Sequence, residues 1–408
     1  MTAWKTATIG SVCTTFSGGT PSTSHPEYYG GDIAWIASAD LNQGRIRSVK
    51  GRITRVGLER SSAKLVKSGT PLIALYGATA GVSAITYVDG AINQAVLAMI
   101  PRAIESEYVF QWLQANRESI IDRYTQGGQP NLSGAIVRNI EIPLPPVSEQ
   151  RRIGEVLGNA DNLIAELERL ITKKQAIKQG MMRELLTGRT RLPGFSDPWR
   201  TVRLGDHVSY VKTVPLSRDQ LDHESPLRCL HYGDIHTRRG VFLDTAQEPM
   251  PRAAATLAGR AGQLKTGDLV FADASEDTSG VGKSVEITGV PTDGVVAGLH
   301  TIAARFDKAV LADGFKAYLQ FIPSFRRSLL RLAAGTKVLA TTRSYISSVE
   351  LQLPPIDEQH AIASTLTDCE RELIALSARL NKARDVKQGM MQELLTGRTR
   401  LPAQEAVA

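Results

Sequence analysis

Residues 178–193 read KQGMMRELLTGRTRLP and residues 387–402 read KQGMMQELLTGRTRLP, with 15 of 16 positions identical at a constant offset of 209. The chain is an internal duplication. Upstream the match continues without a gap, since LPPVSEQRRI (144–153) aligns with LPPIDEQHAI (353–362). Earlier segments behave differently: Trp4 and Gly10 align with Trp199 and Gly205 at an offset of 195, so the second copy has gained 14 residues (209 minus 195) inside. One part of each copy is held nearly fixed while the other has drifted, as expected of a common scaffold carrying two different readers.

All 23 aromatic residues lie in 1–142 or 194–353. Aromatic-free segments rich in Leu, Ile, Ala, Glu, Lys and Arg read as long helices, and the stretches between them as mixed globular domains. The expected class is α+β, divided into a first domain at 1–143, a helix segment at 144–193, a second domain at 194–352, a second helix segment at 353–402 and a tail at 403–408. In the first helix Ile153, Ala160, Leu167, Lys174 and Met181 recur every seven residues. Val156, Leu163, Leu170 and Ile177 form the partner register, flanked by Leu157, Ile164 and Ile171. This predicts a coiled-coil seam with one polar break at Lys174. The second copy keeps Ile362, Cys369, Leu376, Ala383 and Met390 and shifts its companion stripe to Leu366, Leu373, Leu380 and Leu394.

Pro145-Pro146 and Pro354-Pro355 bar extension of either helix backwards, Ser148 or Asp357 is placed to cap, and Glu149 and Glu358 fall in the positive first turn. Gly188 and Gly397 supply left-handed stops, with Pro193 and Pro402 beyond. Each helix is therefore roughly 40 residues, or about 60 Å. Gly180 and Gly389, inside the helices, point to close approach of another helix. Short β-prone runs occupy 71–77, 95–100, 267–272 and 300–306, and helical patterns 108–124 and 315–333.

The formal charge is +7, divided as +3, +3, +2 and −1 over 1–142, 143–193, 194–352 and 353–408. An acidic partner such as nucleic acid is permitted, not demanded. No apolar run approaches the roughly 18 residues of a membrane span, and MTAWKTATIG lacks a signal core, so a cytoplasmic location without membrane contact is expected. Cys13, Cys229 and Cys369 are too far apart in sequence for a metal clip and give no even-numbered disulfide framework.

Catalytic constellations fare poorly. DTSGVGKS (277–284) resembles a phosphate-binding loop, but Asp277 stands where its first glycine belongs and no strand-to-helix frame surrounds it. A surface turn, or a glycine-rich loop carrying Lys283 towards DNA, are the readings left open. The LPP segments lack the acidic or amide residue and the aromatic that amino-methyltransferases use to hold a target amine. No Glu-x-Lys tripeptide occurs, and His231 and His236 have no further ligands beside them. No catalytic, cofactor-binding or metal site is expected in this chain.

What remains are polar, aromatic and basic loops of the sort that reach base edges and phosphates. In the first domain they carry Tyr28, Tyr29, Trp35, Arg45, Arg47, Tyr76, Gln126, Gln129 and Asn131. In the second they carry Lys212, Arg218, His231, Tyr232, Arg238, Arg239, Lys283, Lys337, Arg343 and Tyr345. These are the candidate DNA-binding residues.

These segments carry a resemblance. The paired LPP-x-x-EQ stretches (144–150 and 353–359), the LLTGRTRLP helix ends, GGTPSTSHPEYYGGDIAWI (18–36) and INQAVLAMIP (92–101) are similar to those of type I restriction-modification specificity subunits, HsdS. It covers essentially the whole chain, although the second domain lacks the GGTPS and QPNLS elements. The resemblance implies two target recognition domains and two antiparallel helices in pseudo-twofold arrangement, each domain reading half of a bipartite double-stranded DNA target. Also implied are two modification subunits that methylate adenine with S-adenosylmethionine and two restriction subunits that use ATP and Mg. This chain would supply recognition and no chemistry. If the helices act as a ruler, inserting four residues should move one domain about 6 Å and change the DNA spacer by about two base pairs. The alternative is a helical adaptor that holds proteins and never touches DNA.

Overall fold

The computed structural model describes residues 4–124, 131–259, 261–333 and 339–401. Contacts divide the chain into two units, the first built from the residues before Leu170 and after Leu376, the second from Leu170–Leu376. The division runs through both long helices. Each unit therefore holds one domain, the start of the helix that follows it and the end of the other helix.

In the first unit the strand Lys5–Thr8 pairs antiparallel with Glu141–Leu144, bringing the start of the domain beside the start of its helix. A five-stranded sheet runs in the order Cys13–Ser17, Val96–Pro101, Pro71–Ala74, Ser83–Thr86, Arg45–Ile46. A four-stranded sheet (Arg52–Ile53, Tyr29–Ile36, Gly90–Ile92, Lys64–Val66) completes the domain. Pro71–Ala74 and Ser83–Thr86 are buried along their whole length, the first as a short continuous apolar run between turns predicts. The 108–124 pattern is broken at Asn116 into helices Ser106–Ala115 and Arg117–Tyr124.

The second unit repeats this order: Val208–Val211, Thr301–Phe306, Leu269–Ala272, Ser284–Gly289, Phe242–Asp244, with Arg200–Arg203 pairing Glu350–Leu353. Ala98 faces Leu72 in the first sheet as Ala303 faces Val270 in the second. The offset is thus 198 at one strand (270 minus 72) and 205 at the next (303 minus 98). The 14 extra residues are spread over several turns and insert no new element into the sheet. In the 315–333 segment, Lys316–Phe321 winds as a 3₁₀ helix before the α-helix Pro323–Ala333.

The long helices span Val147–Leu185 and Ile356–Leu394, 39 residues each. Burial corrects the expected seam of the first. Leu163, Leu170 and Ile177 are 37–42% exposed, whereas Leu157 is buried and Ile164 and Ile171 are half-buried. Its companion stripe is therefore Leu157, Ile164, Ile171, Lys178 and Leu185, in the same register as Leu366, Leu373, Leu380, Lys387 and Leu394 of the second helix. The stripe does not shift between copies. Pairing across the seam is antiparallel within each unit: Asp161 meets Lys387 and Glu168 meets Arg384 in the first, Lys174 meets Glu372 and Lys178 meets Glu370 in the second.

Two smaller expectations fail. Ser148 and Asp357 lie inside the helices rather than at the cap, because the carbonyls of Pro146 and Pro355 already accept the first intrahelical bonds from Gln150 and Gln359. Among the described residues Gly180 and Gly389 approach no other element: a methyl group at either would meet no atom within 4 Å outside the backbone of its own helix. Gly188 and Gly397 do take the left-handed stop, at φ 67° and 71°.

Candidate nucleic-acid interface

The repeated segments explain themselves as a lock. Gln150, almost fully buried, donates to Pro145 O (2.7 Å) and accepts from Glu105 N (2.9 Å). Gln359 repeats this with Pro354 O (2.9 Å) and Ala312 N (2.9 Å). Glu149 pairs with Arg400 at 2.7 Å, and Arg400 lies over the Trp4 ring. Glu358 likewise pairs with Arg191, which lies over Trp199. Gly397 and Gly188 pack against those same two indoles, and a Cβ there would lie 3.1 and 3.2 Å from the ring, crowding it slightly and straining the backbone. In each unit the start of one helix, the end of the other and the domain's first tryptophan are thus clamped together, which fixes the platform on which the domain's loops stand.

How a domain rests on its helices differs between the units. Arg45 of the first faces Ile85, and Phe242 of the second faces Glu286 at the corresponding place on the edge strand. Arg45 pairs with Glu107 and with Asp161 (3.1 Å), and the Asp161 carboxylate also accepts from Gln111 (2.6 Å) and meets Lys387 (2.5 Å). The second unit has Phe242 edge-on to Tyr318 (6.0 Å), with Met181 packed against the same core. One seat is ionic and the other aromatic.

This removes Arg45 from the candidate readers: its side chain is 13% exposed and its guanidinium committed to two carboxylates. His231 is removed as well, being buried, with its Nδ1 accepting from Gly233 N at the head of helix Tyr232–Thr237. Burial, and Arg218 nearby, push its pKa down. Arg238 grips the Glu248 carboxylate and donates to Phe242 O (2.8 Å), so it braces a loop. Tyr29 donates to Pro21 O (2.5 Å) and Trp35 to Gly19 O (3.4 Å), making them props for the 17–24 loop.

The remaining candidates among the described residues sit on exposed or half-exposed surface. In the first domain Tyr28 stacks on His25 (4.7 Å), exposed Arg47 lies over Tyr87 (4.9 Å), and Tyr76 bridges to Asn131, joining the 76–81 loop to the segment ahead of helix Gly134–Asn139. Gln126 and Gln129 lie outside the described residues, as does Lys337. In the second domain Lys212, Arg239 and Arg343 are exposed, Arg218 is half-engaged with Asp234 (2.9 Å), and Tyr345 packs partly on the core.

Tyr232, Arg239 and Lys283 line a cleft of about 800 Å³ together with His300, Phe321 and Arg326. Lys283 donates to His236 O at its wall, and burial lowers its pKa. Ser284 opens a strand, so the 277–284 segment has no following helix to receive a phosphate. Sequence reading passed over His300, Phe321 and Arg326. Arg326 stands on the amphipathic helix Pro323–Ala333, a pattern visible in SFRRSLLR, whereas nothing local in sequence marks His300. Among the described residues no group of three His, Cys, Asp or Glu side chains could hold a metal ion, and no helix is long and apolar enough to cross a membrane. Burial pushes the Cys13 and Cys229 thiols up to about 11, which keeps both unreactive.

Residues 1–179 match the family model described as type I restriction modification DNA specificity domain. Among relatives, the chain is 24% identical over 315 residues to the type I restriction enzyme MjaVIII specificity subunit of Methanocaldococcus jannaschii, covering 74% of this chain and 72% of that one. It is 33% identical over 167 residues to the MjaIX specificity subunit of the same organism, covering 40% and 38%. A crystal structure of the type I restriction-modification S subunit from M. genitalium superposes with a TM-score of 0.62 at 12% identity over 96% of both chains, a likeness of fold.

Proposed function

We propose, for a chain that belongs to the family of type I restriction-modification DNA specificity subunits, that each of its domains reads one half of a bipartite target in double-stranded DNA. The observation that carries this is the duplication itself: two sheets of the same strand order on locked helix ends, with diverged loops. A binder of one contiguous site has no need of two such platforms. In this reading the chain is not an enzyme; it docks two modification subunits, which methylate adenine with S-adenosylmethionine, and through them two ATP- and Mg-dependent restriction subunits, in the cytoplasm. Exposed Arg47, Lys212, Arg239 and Arg343 supply phosphate or guanine contacts, and Tyr28, Tyr76, Asn131 and Tyr232 are further contacts to bases or sugar.

The test is selection from a random duplex library by the complex of this chain with its modification subunits. Enrichment of two short defined segments at one fixed separation is expected. Inserting four residues into one long helix should alter that separation by about two base pairs if the helices act as the ruler. A stable complex that enriches no sequence would favour the adaptor reading.

A further inference from the structure

The geometry points to His300 as a specificity-determining residue of the second domain, one whose imidazole reads an exocyclic amine of adenine or cytosine; the assignment rests on the specificity-subunit reading. His300 sits in the turn between strands Val295–Ala297 and Thr301–Phe306. Among the described residues it alone of the non-glycines has positive φ, at 56°. Residues with a Cβ adopt this region only rarely, histidine among the better tolerated, whereas glycine would occupy it without strain. Strain of this kind persists where the side chain serves a purpose.

That side chain is positioned, not idle. Its ring meets Tyr232 edge to face at 5.4 Å, on the wall of the cleft that also holds Arg239, Lys283 and Arg326. Its Nδ1 lies 3.1 Å from Asp273 Oδ1, and the Asp273 amide donates to His300 O at 3.1 Å, so one residue holds both ring and backbone. A carboxylate accepts, so the ring nitrogen beside it, Nδ1, carries a hydrogen, and in its neutral form such a ring presents Nε2 as an acceptor. The side chain is half-exposed. In the major groove only adenine and cytosine offer a donor, their N6 and N4 amines.

To test this, the full chain is co-expressed with its modification subunits as wild type, H300G and D273A, and adenine methylation is mapped genome-wide by single-molecule sequencing. Wild type should give a split motif. H300G should melt at the wild-type temperature or higher, keep one half-motif and the spacer, and relax a single base position in the other half, with preference there falling roughly tenfold. D273A, which frees the ring to take either tautomer, should relax that same position. An unchanged motif in H300G overturns the assignment, as does relaxation in both halves. A lowered melting temperature with methylation lost everywhere also overturns it, because His300 would then be structural. A wild-type complex with no split motif removes the underlying reading, and the assignment with it.

Discussion

Arg45 illustrates how a side chain that looks like a DNA contact becomes a foundation. In sequence it stands in a polar loop beside Arg47, and nothing local separates the two. Folding brings Glu107 and Asp161, 62 and 116 residues away, onto one guanidinium, while Arg47 stays exposed. Truncating one partner of a partly buried ion pair leaves the other charge desolvated, so Arg45→Met should destabilise the first unit by about 3 kcal/mol. Urea unfolding followed by tryptophan fluorescence checks this, since Trp4, Trp35 and Trp112 lie in that unit and only Trp199 in the other. The same variant should leave the recognised DNA sequence unaltered. A base reader would show the opposite pattern, with normal stability and altered sequence preference. His231 and Arg238 were opaque to sequence too, since burial of the one and the grip of the other on Glu248 appear only once the chain is folded.

The two long helices were largely legible, because their seven-residue period, flanking prolines and terminal glycines are local signals. Their faces were less so. Leu163, Leu170 and Ile177 keep the period as faithfully as Leu157, Ile164 and Ile171, and only packing chooses between stripes. Lys178 and Lys387 stand inside the chosen stripe, where each meets an acid at the matching position of the other helix, Glu370 or Asp161. Such pairs contribute less to stability than their removal suggests. Lys178→Met alone should cost about 2–3 kcal/mol by stranding Glu370, whereas Lys178→Met combined with Glu370→Leu should return to within about 1 kcal/mol of wild type. Thermal and chemical unfolding of the two variants beside wild type measures the difference. If the double variant is as damaged as the single one, the pair does more than satisfy its own charges.

Across the whole molecule, the duplication announced two like halves, and the shared strand order bears that out. The loops carried no comparable code, since any exposed Arg, Asn or Tyr fits a solvated surface as well as a base edge. If each domain reads its own half-site, one chain holds two independent readers. The most direct test of this is a genome-wide adenine methylation map made with the modification subunits and either Arg47→Ala in the first domain or Arg239→Ala in the second. Wild type should give a split motif, with each variant weakening or relaxing methylation through a different half and leaving the other half and the spacer intact. A single contiguous motif, or two variants that alter the same half, would contradict it.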